Sequence, residues 1–361
     1  MKQPDPFSTE LPALITGGAG FVGINLAHRL LELGKPVRLF DNLSRRGVKH
    51  NLGALRRRFG ESPQLIVADI RDPNAVAQAV QGVDQVYHFA AQVAVTTSLV
   101  NPIDDFEINA RGTLNLLETL RGMDSPPSLI FTSTNKVYGE LPDLDFHTVG
   151  RRYVPSDPAL REHGIGEARP LDFHSPYGCS KGAADQYVID YARTFDLPAL
   201  VFRMSCIYGP HQQGNEDQGW VAHFLIRALE GRPLTIYGDG KQVRDLLYAS
   251  DLVDALLLGH AHMDSLAGRA FNIGGGPGNT LSLLELLDHI EELNGQRPLT
   301  DFSKTRPGDQ CFYVSDVRAF GAATGWRPRV GVREGVERLY AWLREARGRT
   351  LVQPGLEELA R

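Results

Sequence analysis

Ala13-Leu14-Ile15-Thr16-Gly17-Gly18-Ala19-Gly20-Phe21-Val22-Gly23-Ile24 decides the fold. An apolar run leads into glycines and then into a helical pattern over Phe21 to Leu33, so the order is strand, tight turn, helix. Gly17, Gly18, Gly20 and Gly23 allow a turn closed to side chains, close approach of backbone N–H groups to a pyrophosphate, and tight packing of helix on strand. The helix, with Phe21 and Val22 in its first turn, directs its positive end at those phosphates. Val37-Arg-Leu-Phe-Asp41 then supplies a second strand with an acid at its tip. A glycine pattern alone is a weak signal, but with the strand, helix and acid around it the stretch reads as a dinucleotide site.

Asp41-Asn42-Leu43-Ser44-Arg45-Arg46-Gly47 forms the loop where the adenosine ribose would sit. Asp41 can accept from both ribose hydroxyls and repels a 2′-phosphate, which favours NAD over NADP. Arg45 and Arg46 pull the other way, because arginine here is how a 2′-phosphate is accommodated. The third strand, Gln64 to Ala68, ends in Asp69-Ile70, placed to touch the adenine edge. A helix through Ala75 to Val80 leads to the strand Gln85–Phe89, whose exit Ala90-Ala91-Gln92 lets backbone pass close to a ligand. Repeated strand–helix alternation predicts a doubly wound parallel α/β sheet with ligands at the carboxyl ends of its strands.

Further on, Asn109 to Glu118 has apolar residues at helical spacing, and Ser128-Leu-Ile-Phe131 is a strand ending in Thr132, Ser133 and Thr134. Glu140 to Ser175 is long, weakly periodic and rich in Pro, Gly, Asp and His; such loops are usually functional, and it reads as a flap over a substrate. Ser175-Pro-Tyr-Gly-Cys-Ser-Lys181 opens a helix through Ala192 that sets Tyr177 and Lys181 on one face. Leu200–Arg203 is another buried strand. Beyond Met204 the sheet rhythm breaks and a second lobe begins. Its elements include a helix from Val221 to Glu230 and a strand Thr235-Ile-Tyr237.

The chain has 361 residues, 42% of them hydrophobic, enough to bury a full core in two lobes. A net charge of −5 gives no reason to expect nucleic acid, and Arg56-Arg57-Arg58 reads as a solvated helix face. The polar stretch Met1 to Pro12 has no signal-peptide pattern, and no apolar run is long enough to span a bilayer. A cytoplasmic protein is therefore expected. Cys179, Cys206 and Cys311 are an odd number without metal-ligand spacing and read as reduced thiols. His88 reads as a packed core residue, and His174, His211 and His223 lack metal-site spacing. No metal site is expected.

A tyrosine and a lysine four apart at a nicotinamide site make a proton-transfer device. The ammonium of Lys181 stabilises tyrosinate, so Tyr177 can act as general base on a sugar hydroxyl near neutral pH. Thr134, or next Ser133, would hydrogen-bond the same substrate oxygen.

The turn Gly17 to Gly23, the hydroxyls Thr132 to Thr134 and Tyr177-x-x-x-Lys181 resemble the extended short-chain dehydrogenase/reductase family of nucleotide-sugar epimerases and dehydratases, across nearly the whole chain. Longer runs, Thr134 to Gly139, Pro170 to Asp185, Ser205 to Pro210 and Glu216 to Trp220, resemble members that invert carbon 2 of a CDP-linked hexose. The resemblance implies a Rossmann-type fold, tightly held NAD, a nucleoside-diphosphate hexose as substrate and inversion at carbon 2. It also implies pyrophosphate contacts from Arg244 and Arg306, a sugar contact from Asn135, substrate contacts from Tyr237 and Val221, and cofactor contacts from Phe89 and Asn109. A homodimer is expected through helices from Ile103 and from Lys181. Gln213 departs from the family pattern, where an aromatic is expected, and leaves base or sugar selectivity open.

One part of this follows independently from the residues. A 4,6-dehydratase of this fold needs an acid beside its threonine, usually as Thr-Asp-Glu, whereas here Asn135 and Lys136 follow Thr134. Without that general acid, oxidation followed by reduction is the better reading than water elimination. A C4-epimerase, an epimerase of another nucleotide sugar and a non-catalytic NAD sensor stay open as alternatives. The intact Thr134, Tyr177 and Lys181 set argues against the sensor. The expected division is a cofactor domain over 1–205 with a return at 245–265, and a substrate lobe over 206–244 and 266–361.

Overall fold

The computed structural model describes residues 10–306 and 308–352. Expectations for residues 1–9 and 353–361 lie outside the described residues. Strands β1 (Ala13–Thr16), β2 (Val37–Asp41), β3 (Gln64–Val67), β4 (Gln85–His88) and β5 (Ser128–Thr134) alternate with helices, of which α1 (Phe21–Glu32) is the first. They join a seven-stranded sheet, parallel at every pairing, in the order Ala270–Ile273, Ala199–Met204, β5, β4, β1, β2, β3. The winding reverses between β1 and β4, which opens a crevice at their carboxyl ends.

β1 and β4 are buried on both faces, as strands covered by helices on either side must be. Side chains alternate between two cores. Ile15, Leu39, Ile130 and Phe202 pack under Leu252 and Leu256 of the helix Ala249–Ala261, whereas Leu14, Phe40, Leu129 and Phe131 pack under Leu116, Ala184 and Val188.

Three expectations are corrected by the fold. Ala270–Ile273, read as part of the second lobe, is the edge strand of the large sheet. Phe271 and Ile273 are buried there with Phe320 and Trp326. A four-residue strand carries no period that could assign it from sequence. The return at 245–265 is divided. Val243–Tyr248 pairs with Thr280–Ser282, Phe312–Tyr313 and Cys206–Tyr208 in the smaller lobe, while its Leu247 and the following helix pack into the core of the large sheet. Finally, Glu140 to Ser175 is no free flap. It forms the hairpin Phe146–Val149 with Arg152–Pro155 and a helix Pro158–His163 capped by Asp157. Arg152 clasps Glu285 with two bonds of 2.6 Å, and Ile165 N donates to Val314 O at 2.7 Å. Val137, Tyr138, Leu141, Ile165 and Tyr313 make an apolar cluster beneath this segment, which is why it folds.

The smaller lobe has its own core of Val221, Phe224, Leu225, Ile236, Leu286, Ile290, Val336 and Leu339. Among the described residues no helix is long and apolar enough to cross a membrane, and no cluster of His, Cys, Asp and Glu is arranged to hold a metal ion.

Candidate active site

The β1–α1 turn is closed to side chains. Gly17 has φ 66°, and a Cβ on it would lie 2.8 Å from the Ala90 nitrogen; one on Gly23 would lie 2.5 Å from the Gly17 oxygen. Gly20 is tight too, 3.1 Å from the same oxygen. Thr16 Oγ1 accepts from the Phe89 and Ala90 N–H groups at 3.2 Å, which fixes the β4 exit against the turn. Phe21 and Val22 lie in the first turn of α1, half-buried, and Val22 packs against the core.

At the tip of β2, Asp41 Oδ2 accepts from Ala19 N at 3.0 Å and Oδ1 from Leu43 N at 2.8 Å. Burial pushes its carboxyl up, while these bonds and Arg45 oppose the rise. Asn42 donates to Asp69 at 3.0 Å and caps Ser44, and Arg71 holds Asp69 well below the usual carboxylate range. Ile70 is buried against Gly112. Arg45 reaches across to hydrogen-bond Gln218.

The reacting groups meet at the end of β5. Lys181 Nζ donates to the Thr132 carbonyl at 2.6 Å and lies 4.1 Å from the centre of the Phe131 ring. The Thr134 hydroxyl donates to Asn135 Oδ1 at 3.3 Å, accepts from Lys136 N at 3.2 Å and lies beside the Tyr177 phenol, whose rise in pKa it opposes. Thr132 Oγ1 donates to the His88 carbonyl, and Ser133 Oγ is buried with no partner. Asn135 is buried and contacts Gln310 at 3.5 Å. Asn109 and Gln92 exchange two bonds, 2.9 Å and 3.0 Å, and Asn109 also donates to Ser180 Oγ at 3.0 Å. The geometry explains Asn109: it lies in a π-helical stretch, Glu107–Arg111, inside a helix that begins at Pro102.

The electrostatics depart from expectation. Burial pushes the Tyr177 phenol up to about 12; Thr134 and Arg45 oppose the rise and the Asp105 carboxylate adds to it. Lys181 stands one helical turn on from Tyr177 in the same helix. Burial pushes its ammonium down to about 7, against the pull of Asp185 and Asp105. Both groups are out of water, and desolvation is the largest cause of each shift.

In the smaller lobe, Arg244 is buried and donates to Asp309 at 2.6 Å. Lys136 Nζ donates to the Gly308 carbonyl at 2.9 Å and stands 3.9 Å from the same Asp309. Arg306 stacks 3.8 Å from the centre of the Tyr237 ring and faces Glu216 and Asp217 at 3.7 and 3.5 Å, while Tyr237 hydrogen-bonds Glu216. Val221 lies in the first turn of the helix Trp220–Leu229. Its side chain lies in the lobe's core, because the helix Trp220–Leu229 turns its apolar face inward, so only its first-turn N–H is left to offer a ligand. Sequence reasoning missed Asp105, Ser180, Asp309 and Gln310. None of the four carried a distinguishing signal, since Asp105 beside Asp104 reads as part of a solvated acidic pair.

A family model described as the NAD dependent epimerase/dehydratase family matches residues 13–274. The chain belongs to this family. Its similarity to CDP-paratose 2-epimerase of Salmonella typhi is 44% identity over 337 residues, spanning 91% of this chain and 98% of that one. Among solved epimerases, the Thermus thermophilus UDP-glucose 4-epimerase in complex with NAD is 32% identical, with a TM-score of 0.78 over 93% of this chain and all of that one. The Bacillus cereus UDP-glucuronic acid 4-epimerase, in complex with UDP-glucuronic acid and NAD, is 27% identical with a TM-score of 0.79, over 93% of this chain and 100% of that one. As in the rest of this family of epimerases and dehydratases, the cofactor is NAD. The residues fit it, with a glycine cradle that a Cβ would fill and a carboxylate at the β2 tip.

Proposed function

We propose that the chain epimerises a nucleotide sugar at carbon 2, converting CDP-paratose to CDP-tyvelose through a transient 2-keto sugar. The observation that carries this reading is the meeting of Thr134 and Tyr177 at the end of β5, followed by Asn135 and Lys136 where a dehydratase needs an acid. The 44% identity to a CDP-paratose 2-epimerase supports the choice of base, sugar and carbon.

Bound NAD supplies hydride uptake and return. Tyr177 takes the proton from the C2 hydroxyl and later gives it back, Thr134 holds the same oxygen, and Lys181 supplies a positive charge beside the pair. Gly17, Gly20 and Gly23 present backbone to the pyrophosphate, aided by α1. Asp41, Asn42, Ser44 and Arg45 take the adenosine ribose, Asp69 and Ile70 the adenine. Phe89, Ala90, Ala91, Gln92, Asn109 and Thr132 line the nicotinamide half. On the sugar nucleotide side, Arg244, Arg306 and Tyr237 bind the nucleoside diphosphate with the Val221 N–H, and Ser133 and Asn135 face the hexose. Arginine forks suit bidentate phosphate contact, and the diphosphate would take the place that Glu216 and Asp217 hold at Arg306.

The reading includes a homodimer. Leu99, Val100, Ile103 and Phe106 are exposed on the short helices Val95–Val100 and Pro102–Phe106, and Tyr187 is exposed on the long helix Ser175–Thr194. It also includes work in the cytoplasm, where free thiols such as Cys179, Cys206 and Cys311 persist. The test offers purified protein CDP-paratose and UDP-glucose in parallel, with products followed by proton NMR. Inversion of the CDP sugar at carbon 2 is expected; inversion of UDP-glucose at carbon 4 alone would make it a 4-epimerase.

A further inference from the structure

Behind Tyr177 and Lys181 lies a carboxylate that the proton transfer itself does not use. Asp105 is 1% exposed. Its Oδ2 accepts from Ser180 Oγ at 2.5 Å, and its Oδ1 accepts from Gln92 Nε2 at 2.7 Å and Asn109 Nδ2 at 3.2 Å. These bonds join the short helix Pro102–Phe106, the β4 exit and the Ser175–Thr194 helix that carries Tyr177 and Lys181. Among the described residues no ion pair neutralises it.

A buried carboxylate without an ion pair is costly, and it persists where a nearby group needs its charge. Lys181 is that group. Its ammonium is buried, with a carbonyl and an aromatic face as partners. Asp185 lies one helical turn on from it in the same helix, Asp105 is bonded to its chain neighbour Ser180 at 2.5 Å, and both carboxylates favour its charged form. Asp185 is committed to Arg203 through two bonds of 2.9 Å, so Asp105 is the acid whose charge is not already matched. We propose that Asp105 is the positioning residue of the proton-transfer pair: its hydrogen bonds lock the Ser175–Thr194 helix to the β4 exit, and its charge keeps Lys181 an ammonium. This rests on the roles given to Tyr177 and Lys181 above.

The charged and titratable groups around the device are few. Asp104 adjoins Asp105 on its own helix; Asp185 and His88 face Lys181; Arg45 faces Tyr177. His88 is pushed down to about 3 and stays neutral across the working range. The carboxylate favours the ammonium and disfavours the phenolate, so removing it makes both groups lose protons at lower pH. Turnover needs the phenolate and the ammonium together, so both limbs of its pH profile move the same way.

The test is Asp105→Asn in the holoenzyme, with kcat/KM followed against pH on the CDP sugar. Both limbs should move to lower pH by about one unit. Ser180→Ala, which removes a hydrogen bond but no charge, should lower the melting temperature and leave the limbs in place. Limbs of Asp105→Asn that coincide with those of the unaltered protein would overturn the proposal. A melting comparison covers a poorly folding variant or a failed substrate reading. Lys181→Met strands the Asp105 charge, so Lys181→Met with Asp105→Asn should melt above Lys181→Met alone. A lower melting temperature for the double variant would refute the charge coupling, whatever the sugar proves to be.

Discussion

Tyr177 is 9% exposed, and its phenol holds its proton up to about 12, so its work as a base depends on what surrounds it. Replacing it with phenylalanine removes the one group placed to take the hydroxyl proton while leaving the glycine turn intact. Turnover of Tyr177→Phe should fall roughly 10²- to 10⁴-fold, with NAD still bound to the purified protein. Normal turnover would take Tyr177 out of the mechanism. The Tyr177–Lys181 pair and Thr134 were legible because helix and strand periods placed them at the end of one sheet. Asp105 was not. In sequence, Asp104-Asp105 looks like a solvated acidic pair, and only the fold separates them: Asp104 is half-buried and binds Arg71 at 2.6 Å, whereas Asp105 is buried.

At the level of elements, the β1–α1 unit was readable to within a residue because its glycines are demanded by contact. In most helices Gly→Ala stabilises by about 0.5–1 kcal/mol. At Gly23 the added Cβ would meet backbone, 2.5 Å from Gly17 O and 2.7 Å from Gly18 Cα, and backbone cannot step aside cheaply. Gly23→Ala should therefore cost about 1–3 kcal/mol net and lose bound NAD, as read by urea unfolding and by cofactor content after purification. Unchanged cofactor content would mean that the close helix–strand packing does not shape the cradle. Ala270–Ile273 and the hairpin Phe146–Val149 with Arg152–Pro155 were not readable. Each strand is four residues long and gains its stability from partners far away in sequence, such as Glu285 for Arg152.

Across the whole molecule, the site lies where the large sheet meets the smaller lobe. Lys136 and Asp309 show why this level is opaque to sequence: they stand 3.9 Å apart, yet lie 173 positions apart in the chain. Buried histidines give the whole fold a pH signature. Burial pushes His88 down to about 3, and His211 and His260 down to about 4. Their unfolded values are near 6.5, so below that pH the unfolded chain binds protons that the folded chain refuses. Stability from these groups is present above pH 6.5 and is lost as pH falls toward 4, by about 1.4 kcal/mol per unit for each. The melting temperature should drop steadily from pH 6.5 to 4.5; a flat profile would mean that these rings take up protons in the folded state.

The most direct measurement incubates the purified protein, without added cofactor, with CDP-paratose in heavy water, and follows the sugar by proton NMR and mass spectrometry. Conversion to CDP-tyvelose with no deuterium at carbon 2 is expected, because the hydride leaves and returns within one site. Absence of conversion, or deuterium at carbon 2, would contradict epimerisation by internal hydride return.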